Sequence, residues 1–314
     1  MNALTVQAGS NGAIIQAQEM NAYVLGRFLA YLDTTPKTIE TYSRALKQLF
    51  SFFANRGIRN PKREDIVAFR DELKESGHKP TTIQNYITAA KIFFSWTAQE
   101  GIYANITEHL KGAKLDREHK KDPLTARQVK EILDSIDRNT KTGRRDYALF
   151  SLMVTGGLRD IEVSRATIGD IRPAGENTVL YVQGKGRTEK TEYIKLCPEV
   201  EAAIRDYLKD RETAGAEEPL FISTSNNSKG KTLSTRSISG IIKGIMKGAG
   251  YNSERLTAHS LRHTAVTLSL LAGNDLTEVQ QFARHANLNT TMIYNHALDK
   301  AKNACSQSIA AMIF

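Results

Sequence analysis

Residues 38–57 read TIETYSRALKQLFSFFANRG, with apolar side chains at Ile39, Tyr42, Leu46, Leu49, Phe50 and Phe53. Steps of three and four return to one face of a 3.6-residue helix, so the spacing predicts a helix with that face in a core. Gly57 follows, where a left-handed residue ends a helix without a Cβ penalty. The pattern recurs on both sides. Ile83, Tyr86, Ile87, Ala90, Phe93, Phe94 and Thr97 form a second stripe that stops at Gly101, and a shorter run, Ile66 to Leu73, stops near Gly77. Pro36 and Pro80 precede the next helices. With Tyr23 to Leu32 added, residues 21–111 predict a four-helix domain behind a small, polar tail of residues 1–20.

Residues 111–122, KGAKLDREHKKD, lack apolar periodicity and carry five Lys or Arg with three acids. They predict a solvated linker over residues 112–123, one able to touch a DNA backbone. A larger unit, 124–314, begins beyond Pro123. Thr125 is placed to cap a helix through Val129, Ile132, Leu133 and Ile136, and a second helix is expected from about Arg145 to Met153. Val179–Val182 and Tyr193–Leu196 are β-formers around Gly184, so a small hairpin or sheet is expected. Glu199–Tyr207, Ser234–Gly248, His259–Ala272, Thr277–Arg284 and Thr290–Ile313 read as helix with short breaks. The fold class is therefore mainly α (α+β).

Composition narrows the partners. The chain has 314 residues, 40 % of them apolar, enough for two domains with real cores. Lys and Arg number 43 against 34 acids, a formal charge of +9. That excess favours a polyanion, because each cation placed near a phosphate releases a condensed counterion. Cys197 and Cys305 are far apart in sequence and read as two free thiols of a reducing compartment. No apolar run reaches the roughly 18 residues that span a bilayer, and the first 18 residues carry no secretory signal. A cytoplasmic protein with no membrane partner is expected.

Four places in the second unit gather polar groups that can do chemistry. Arg159 follows the pair Gly156-Gly157, with Asp160 and Glu162 after it. Lys185 sits in the turn Gly184-Lys185-Gly186. His259 and Arg262 are three apart on one helix face. His285 precedes Tyr294 by nine residues. Taken singly, each has an ordinary explanation: a surface arginine, a turn, a core histidine, a core tyrosine. Their combination and order carry the reading.

That order resembles the tyrosine recombinase (phage integrase) family, on the stretches TGGLRDIE at 155–162, QGKGRTEK at 183–190, HSLRHT at 259–264 and RHANLNTTMIYNH at 284–296. The likeness extends from residue 21 over nearly the whole chain, with 21–111 resembling the family's core-binding, SAM-like domain and 124–314 its catalytic domain. It implies two domains that clamp duplex DNA from both sides. It also implies that Arg159 and Arg262 clamp the scissile phosphate, Glu162 supports Arg159, Lys185 is the hairpin lysine, His259 and His285 are the two histidines, and Tyr294 is the nucleophile. Two departures stand out. Arg284 replaces the glycine usual before the second histidine, so that turn is expected to differ. Lys190 lies in the same hairpin and competes with Lys185, although Lys185 fits the Gly-Lys-Gly form better.

The chemistry suits these types. A phosphodiester in its transition state gathers charge on non-bridging oxygens, which guanidinium groups meet with planar donors that stay protonated. A tyrosine of pKa about 10 is only about 0.1 % ionised at neutral pH. A clustered positive field is expected to lower that pKa, with His259 accepting or relaying the proton. Lys185 is expected to protonate the departing 5′ oxygen, and His285 to donate to a phosphate oxygen. The product is a 3′-phosphotyrosine and a free 5′ hydroxyl. Because the bond energy is stored, no cofactor, metal or ATP is expected. Gly230-Lys231-Thr232 echoes a phosphate loop, but Ser225 stands where its first glycine belongs.

Three other readings compete. His259 and His263 lie four apart, as zinc ligands can, but Arg262 sits between them where a metalloprotease pattern has its acid. A non-catalytic DNA-binding or architectural protein would have no need of all six candidate residues. A type IB topoisomerase would use related chemistry to relax DNA without exchanging partners. The residues after Tyr294, through Ile309, Met312 and Phe314, form an amphipathic tail. In the family such a tail docks on a neighbouring subunit, which implies a homotetramer on two duplex DNA sites through exchange of the C-terminal helix, with accessory proteins as possible partners. Twenty N-terminal residues are too few for the arm-binding domain of larger phage integrases, so a simpler Xer-type or mobile-element enzyme is expected.

Overall fold

The structure is a computed structural model that describes residues 17–113, 121–184, 186–211, 214–302 and 304–314. The chain divides into two compact units, Met1–Arg117 and Glu118–Phe314. Most of the expected linker lies outside the described residues.

In the first unit four helices follow one another: α1 (Ala17–Tyr31), α2 (Pro36–Asn55), α3 (Arg63–Glu75) and α4 (Pro80–Gln99). Pro36 and Pro80 occupy the first turns of α2 and α4 rather than preceding them, where a missing N–H costs nothing. The Thr35 hydroxyl accepts from the amide of Thr38 at 3.3 Å and starts α2. Gly57, Gly77 and Gly101 lie just beyond α2, α3 and α4 with φ of 68°, 75° and 66°, the left-handed ends expected. The predicted stripes meet in one core: Leu46, Leu49 and Phe53 of α2 are buried with Phe28, Ile66, Phe69, Ile87, Phe93 and Phe94. Phe28 meets Phe93 edge to face, with ring centroids 5.2 Å apart, the orientation favoured by ring quadrupoles. Phe52, off the predicted stripe, is also buried and packs on Phe69 at 5.3 Å.

The second unit opens with α5 (Ala126–Asp134), capped by Thr125, whose hydroxyl accepts from Gln128 N at 3.2 Å. α6 (Lys141–Gly156) starts four residues earlier than expected because Thr140 caps it, accepting from Gly143 N at 2.9 Å. Its run Ala148–Val154 is buried on all sides, as a helix without a polar face must be. After α7 (Asp160–Arg165) come β1 (Ile171–Ala174), β2 (Asn177–Val182) and β3 (Glu192–Lys195), an antiparallel sheet of order β1-β2-β3. Ile171, Leu180 and Ile194 pair across all three strands. The hairpin of β2 and β3 was expected, but β1 was not. A proline removes a ladder donor, and β1 accommodates Pro173 by lying at the sheet edge.

The remaining helices are α8 (Pro198–Leu208), α9 (Thr235–Gly248), α10 (Ala258–Leu271), α11 (Leu276–Ala283), α12 (Leu288–Lys302) and α13 (Cys305–Ile313). α6, α8, α9 and α10 share the main core of this unit with the sheet. Among the described residues no helix is long and apolar enough to cross a membrane.

Candidate active site

Three backbone segments converge beside the first turns of α10. α6 is capped by Gly157, whose φ of 56° is left-handed. A Cβ on Gly157 would meet the Phe282 ring at 3.2 Å, and one on Gly156 would meet Ile194 Cδ1 at 2.4 Å. Gly157 thus serves a turn and a close crossing with the end of α11, and Gly156 a close approach to β3. Arg159 then caps α7. Its amide donates to Glu162 Oε2 at 2.8 Å and its guanidinium to Glu162 Oε1 at 2.9 Å, so one carboxylate caps the helix and braces the arginine.

Arg262 comes to the same place from α10. Its side chain is only 2 % exposed and donates to Gly157 O at 2.5 Å and to Ala283 O. Burial, then the charges of Arg159 and Arg284, pull its pKa down to about 9. It remains a cation at neutral pH.

Arg284 adopts φ 52° and ψ 46° at the end of α11. The turn therefore does not differ from the one a glycine would make: the arginine itself takes the left-handed conformation, at a backbone cost of about 1–2 kcal/mol. Its guanidinium reaches Glu162 at 3.0 and 3.5 Å, Gly157 O at 3.1 Å and Phe282 O at 2.8 Å. Glu162, fully buried, sits between Arg159 and Arg284. Burial pushes its carboxyl upward, but the Arg284 charge, the Arg159 amide and the Arg159 charge together outweigh it and hold the carboxyl below its usual range.

His285 follows at once. Its Nδ1 lies 2.9 Å from the Thr291 hydroxyl, and its carbonyl accepts from Gln280 Nε2 at 3.0 Å. Tyr294, on α12, is 5 % exposed and packs with Val266, Val279 and Ala283. Its ring stacks on His285 at 6.3 Å and meets the His263 ring at 5.1 Å. His263 in turn meets the exposed His259 edge-on at 4.6 Å. The expected depression of the phenol pKa is not the net result. Arg262 and Arg159 do pull it down, but burial outweighs them and pushes it up to about 12.

Lys185 lies outside the described residues. Its rival Lys190 is held by the buried Asp170 at 2.5 Å, and Asp170 also accepts from Thr167 N at 2.7 Å. An open cleft of about 790 Å³ is lined by Arg159, Arg284 and His285, and by Gly184, Arg187 and Tyr193 of the hairpin. The structure thus gathers Arg159, Glu162, Arg262, His285 and Tyr294, with His259 joined to them through His263. Sequence reasoning missed two members. Arg284 showed itself only as a departure from a glycine, and His263 only as half of a zinc pair. Among the described residues no group of three or more His, Cys, Asp or Glu is placed to hold a metal ion.

Comparison with known proteins agrees with this geometry. Residues 123–301 match the phage integrase family, and residues 25–101 match the phage integrase N-terminal SAM-like domain. The chain belongs to the phage integrase family of tyrosine recombinases. It is 32 % identical over 285 residues to a tyrosine recombinase XerC of Herpetosiphon aurantiacus, covering 87 % of this chain and 90 % of that one. It is 31 % identical over 277 residues to a XerC of Chlamydia muridarum, covering 86 % and 81 %. Among solved structures, the XerH site-specific recombinase in a post-cleavage complex with palindromic difH substrate superposes with a TM-score of 0.72 at 25 % identity, covering 87 % of this chain and 80 % of that one. The Tn1549 transposon integrase in complex with transposon right-end DNA shares the fold, with a TM-score of 0.70 at 20 % identity over 87 % of this chain and 93 % of that one.

Proposed function

We propose that this chain is a site-specific recombinase that cuts and rejoins duplex DNA through a 3′-phosphotyrosine at Tyr294. The observation that carries the reading is a buried phenol that packs on His263, His285 and Ala283, the residue whose carbonyl Arg262 holds. Two of the five N–H groups of Arg262 hold backbone carbonyls, which sets the plane of its guanidinium before DNA arrives. Of these two arginines, Arg159, braced by Glu162, opens on the cleft. Together they meet the charge that grows on the non-bridging oxygens.

A phenol with a pKa near 12 is un-ionised at neutral pH, so its proton must leave as the new bond forms. His259 accepts or relays it, and His263, in ring contact with both partners, fixes their relation. The Tyr294 oxygen bonds to phosphorus, the bond to the 5′ oxygen breaks, and Lys185 supplies that oxygen with a proton. His285 donates to a phosphate oxygen. Attack by a 5′ hydroxyl from a partner duplex reverses each step and releases the tyrosine, with no nucleotide consumed.

α13 presents Ile309, Met312, Ile313 and Phe314 to solvent. We assign it the docking of one subunit on the next, in a tetramer that joins two duplexes. The function is tested by incubating the full-length protein with two duplexes that carry a site selected from a randomised pool. Products joining the two are expected. Relaxation of a supercoiled plasmid bearing that site, without joined products, would make the protein a topoisomerase instead.

The two hairpin lysines separate cleanly. Lys185→Ala should slow cleavage by about 10²–10⁴-fold, the range for a general acid. A substrate whose 5′ bridging oxygen is replaced by sulfur, which leaves without a proton, should recover most of that loss. Lys190→Met should lower the melting temperature, because it strands the buried Asp170, and leave the cleavage rate near wild type. The reverse pattern would transfer the acid's role to Lys190.

A further inference from the structure

Arg284 takes no part in the steps above, yet it occupies a strained position. Its φ is 52°, and glycine would hold the same turn at no steric cost. The backbone alone therefore gives no reason for an arginine. Glu162 does. Each of its two oxygens is taken by one group of Arg159 and one of Arg284: Oε1 by the Arg159 guanidinium at 2.9 Å and Arg284 Nε at 3.5 Å, Oε2 by the Arg159 amide at 2.8 Å and an Arg284 terminal nitrogen at 3.0 Å. Charge bookkeeping follows directly. Arg159 and Glu162 alone would form a neutral pair, and a buried carboxylate committed to one guanidinium competes with a phosphate for it. With Arg284 added, the trio keeps a net positive charge. The Arg284 carbonyl also accepts from the Arg159 guanidinium at 3.3 Å, so the same residue also holds Arg159 directly.

We propose that Arg284 is a positioning residue that shares the buried Glu162 carboxylate with Arg159, and so leaves the trio with a net positive charge and Arg159 able to turn toward the scissile phosphate. The proposal rests on the reading of Arg159 as a phosphate ligand. Exposure agrees with this division of labour: the Arg159 side chain is 29 % exposed, whereas Arg284 is at 5 % and Glu162 at 0 %. The strain at residue 284 is thus the cost of placing a second cation where a glycine turn could not.

The test uses full-length protein and a nicked duplex carrying a site selected from a randomised pool, with single-turnover cleavage and DNA affinity measured separately. Arg284→Gly should slow cleavage at saturating DNA on the order of tenfold while affinity stays within about twofold, the scale of one pairwise coupling. Adding Glu162→Gln to Arg284→Gly should speed cleavage again, because Arg159 loses its competitor. Arg284→Lys should fall between wild type and Arg284→Gly. A merely structural arginine predicts instead that the cleavage losses follow the melting temperatures and vanish at a temperature where every variant is fully folded. If Arg284→Gly lacks a thermal unfolding transition, Arg284→Lys carries the same test, since Glu162→Gln must speed that variant too. Wild-type adduct with Arg284→Gly cleaving at the wild-type rate would overturn the role of Arg284 alone. No adduct from the wild type would overturn the recombinase reading and this role with it.

Discussion

Tyr294→Phe should abolish covalent capture of nicked site DNA, lowering cleavage by about 10⁴-fold or more, the scale seen when a nucleophile is removed. The variant should otherwise be silent. Phenylalanine keeps the ring that packs on His263 and His285 and loses only the hydroxyl, so stability should change by no more than about 1 kcal/mol. DNA affinity should hold as well, since phosphate contacts and not the phenol supply it. Tyr251→Phe is the matched control. Tyr251 bonds Glu131 through its hydroxyl, away from the arginine cluster, and its variant should form adduct at the wild-type rate. Gel-resolved adduct formation together with melting curves reads all of this. An adduct that persists in Tyr294→Phe would mean that another residue attacks.

Replacing Arg262 by methionine should remove at least about 10²–10³-fold of the cleavage rate, the cost of one aligned donor to a developing oxyanion. The effect on folding should be small, which is unusual for so buried a residue. A pKa of about 9, well below the usual arginine range, means that the folded protein disfavours this cation, by on the order of 5 kcal/mol at about 1.4 kcal/mol per tenfold. Methionine relieves that burden. It also strands two carbonyls, Gly157 O and Ala283 O, at roughly 1–3 kcal/mol each. The two effects nearly offset, so chemical denaturation should show a net change within about 2 kcal/mol.

The sign of the pH dependence follows from the same shift. Above about pH 9 and below the ordinary arginine pKa the folded protein gives up the Arg262 proton while the unfolded chain keeps it, so this group's contribution to stability rises with pH in that window and is lost as pH falls through about 9. Wild type should therefore gain stability relative to Arg262→Met above pH 9. A loss of stability relative to the variant there, or a large destabilisation by methionine at pH 7, would make Arg262 a structural residue first.

Much of this was legible in the residue order. The stripes on α2 and α4 and the glycines beyond them follow from helical geometry, so Leu46, Leu49, Phe93 and Phe94 are buried as their spacing predicts. Phe52 was not legible, because its burial depends on Phe69 arriving from α3. β1 was hidden by Pro173, whose tolerance depends on lying at a sheet edge. At the site, the motif residues could be named one by one, and Glu162 as the support of Arg159, but the roles of Arg284 and His263 could not. Glu162 is shared by Arg159, three residues before it, and Arg284, 122 residues after it, a tertiary fact that no local pattern encodes. The sign of the Tyr294 shift was misjudged for a related reason. A positive field can be inferred from the arginines in a motif, whereas the burial that outweighs it becomes visible only once α12 packs on α10 and α11.

The most direct test of the account digests the trapped protein–DNA adduct with nuclease and protease and sequences the modified peptide by mass spectrometry, using duplexes labelled at either side of the break. The account predicts a nucleotide joined through its 3′ phosphate to Tyr294 and a free hydroxyl on the 5′ side. A nucleotide attached to any other residue, or joined through its 5′ phosphate, would contradict it.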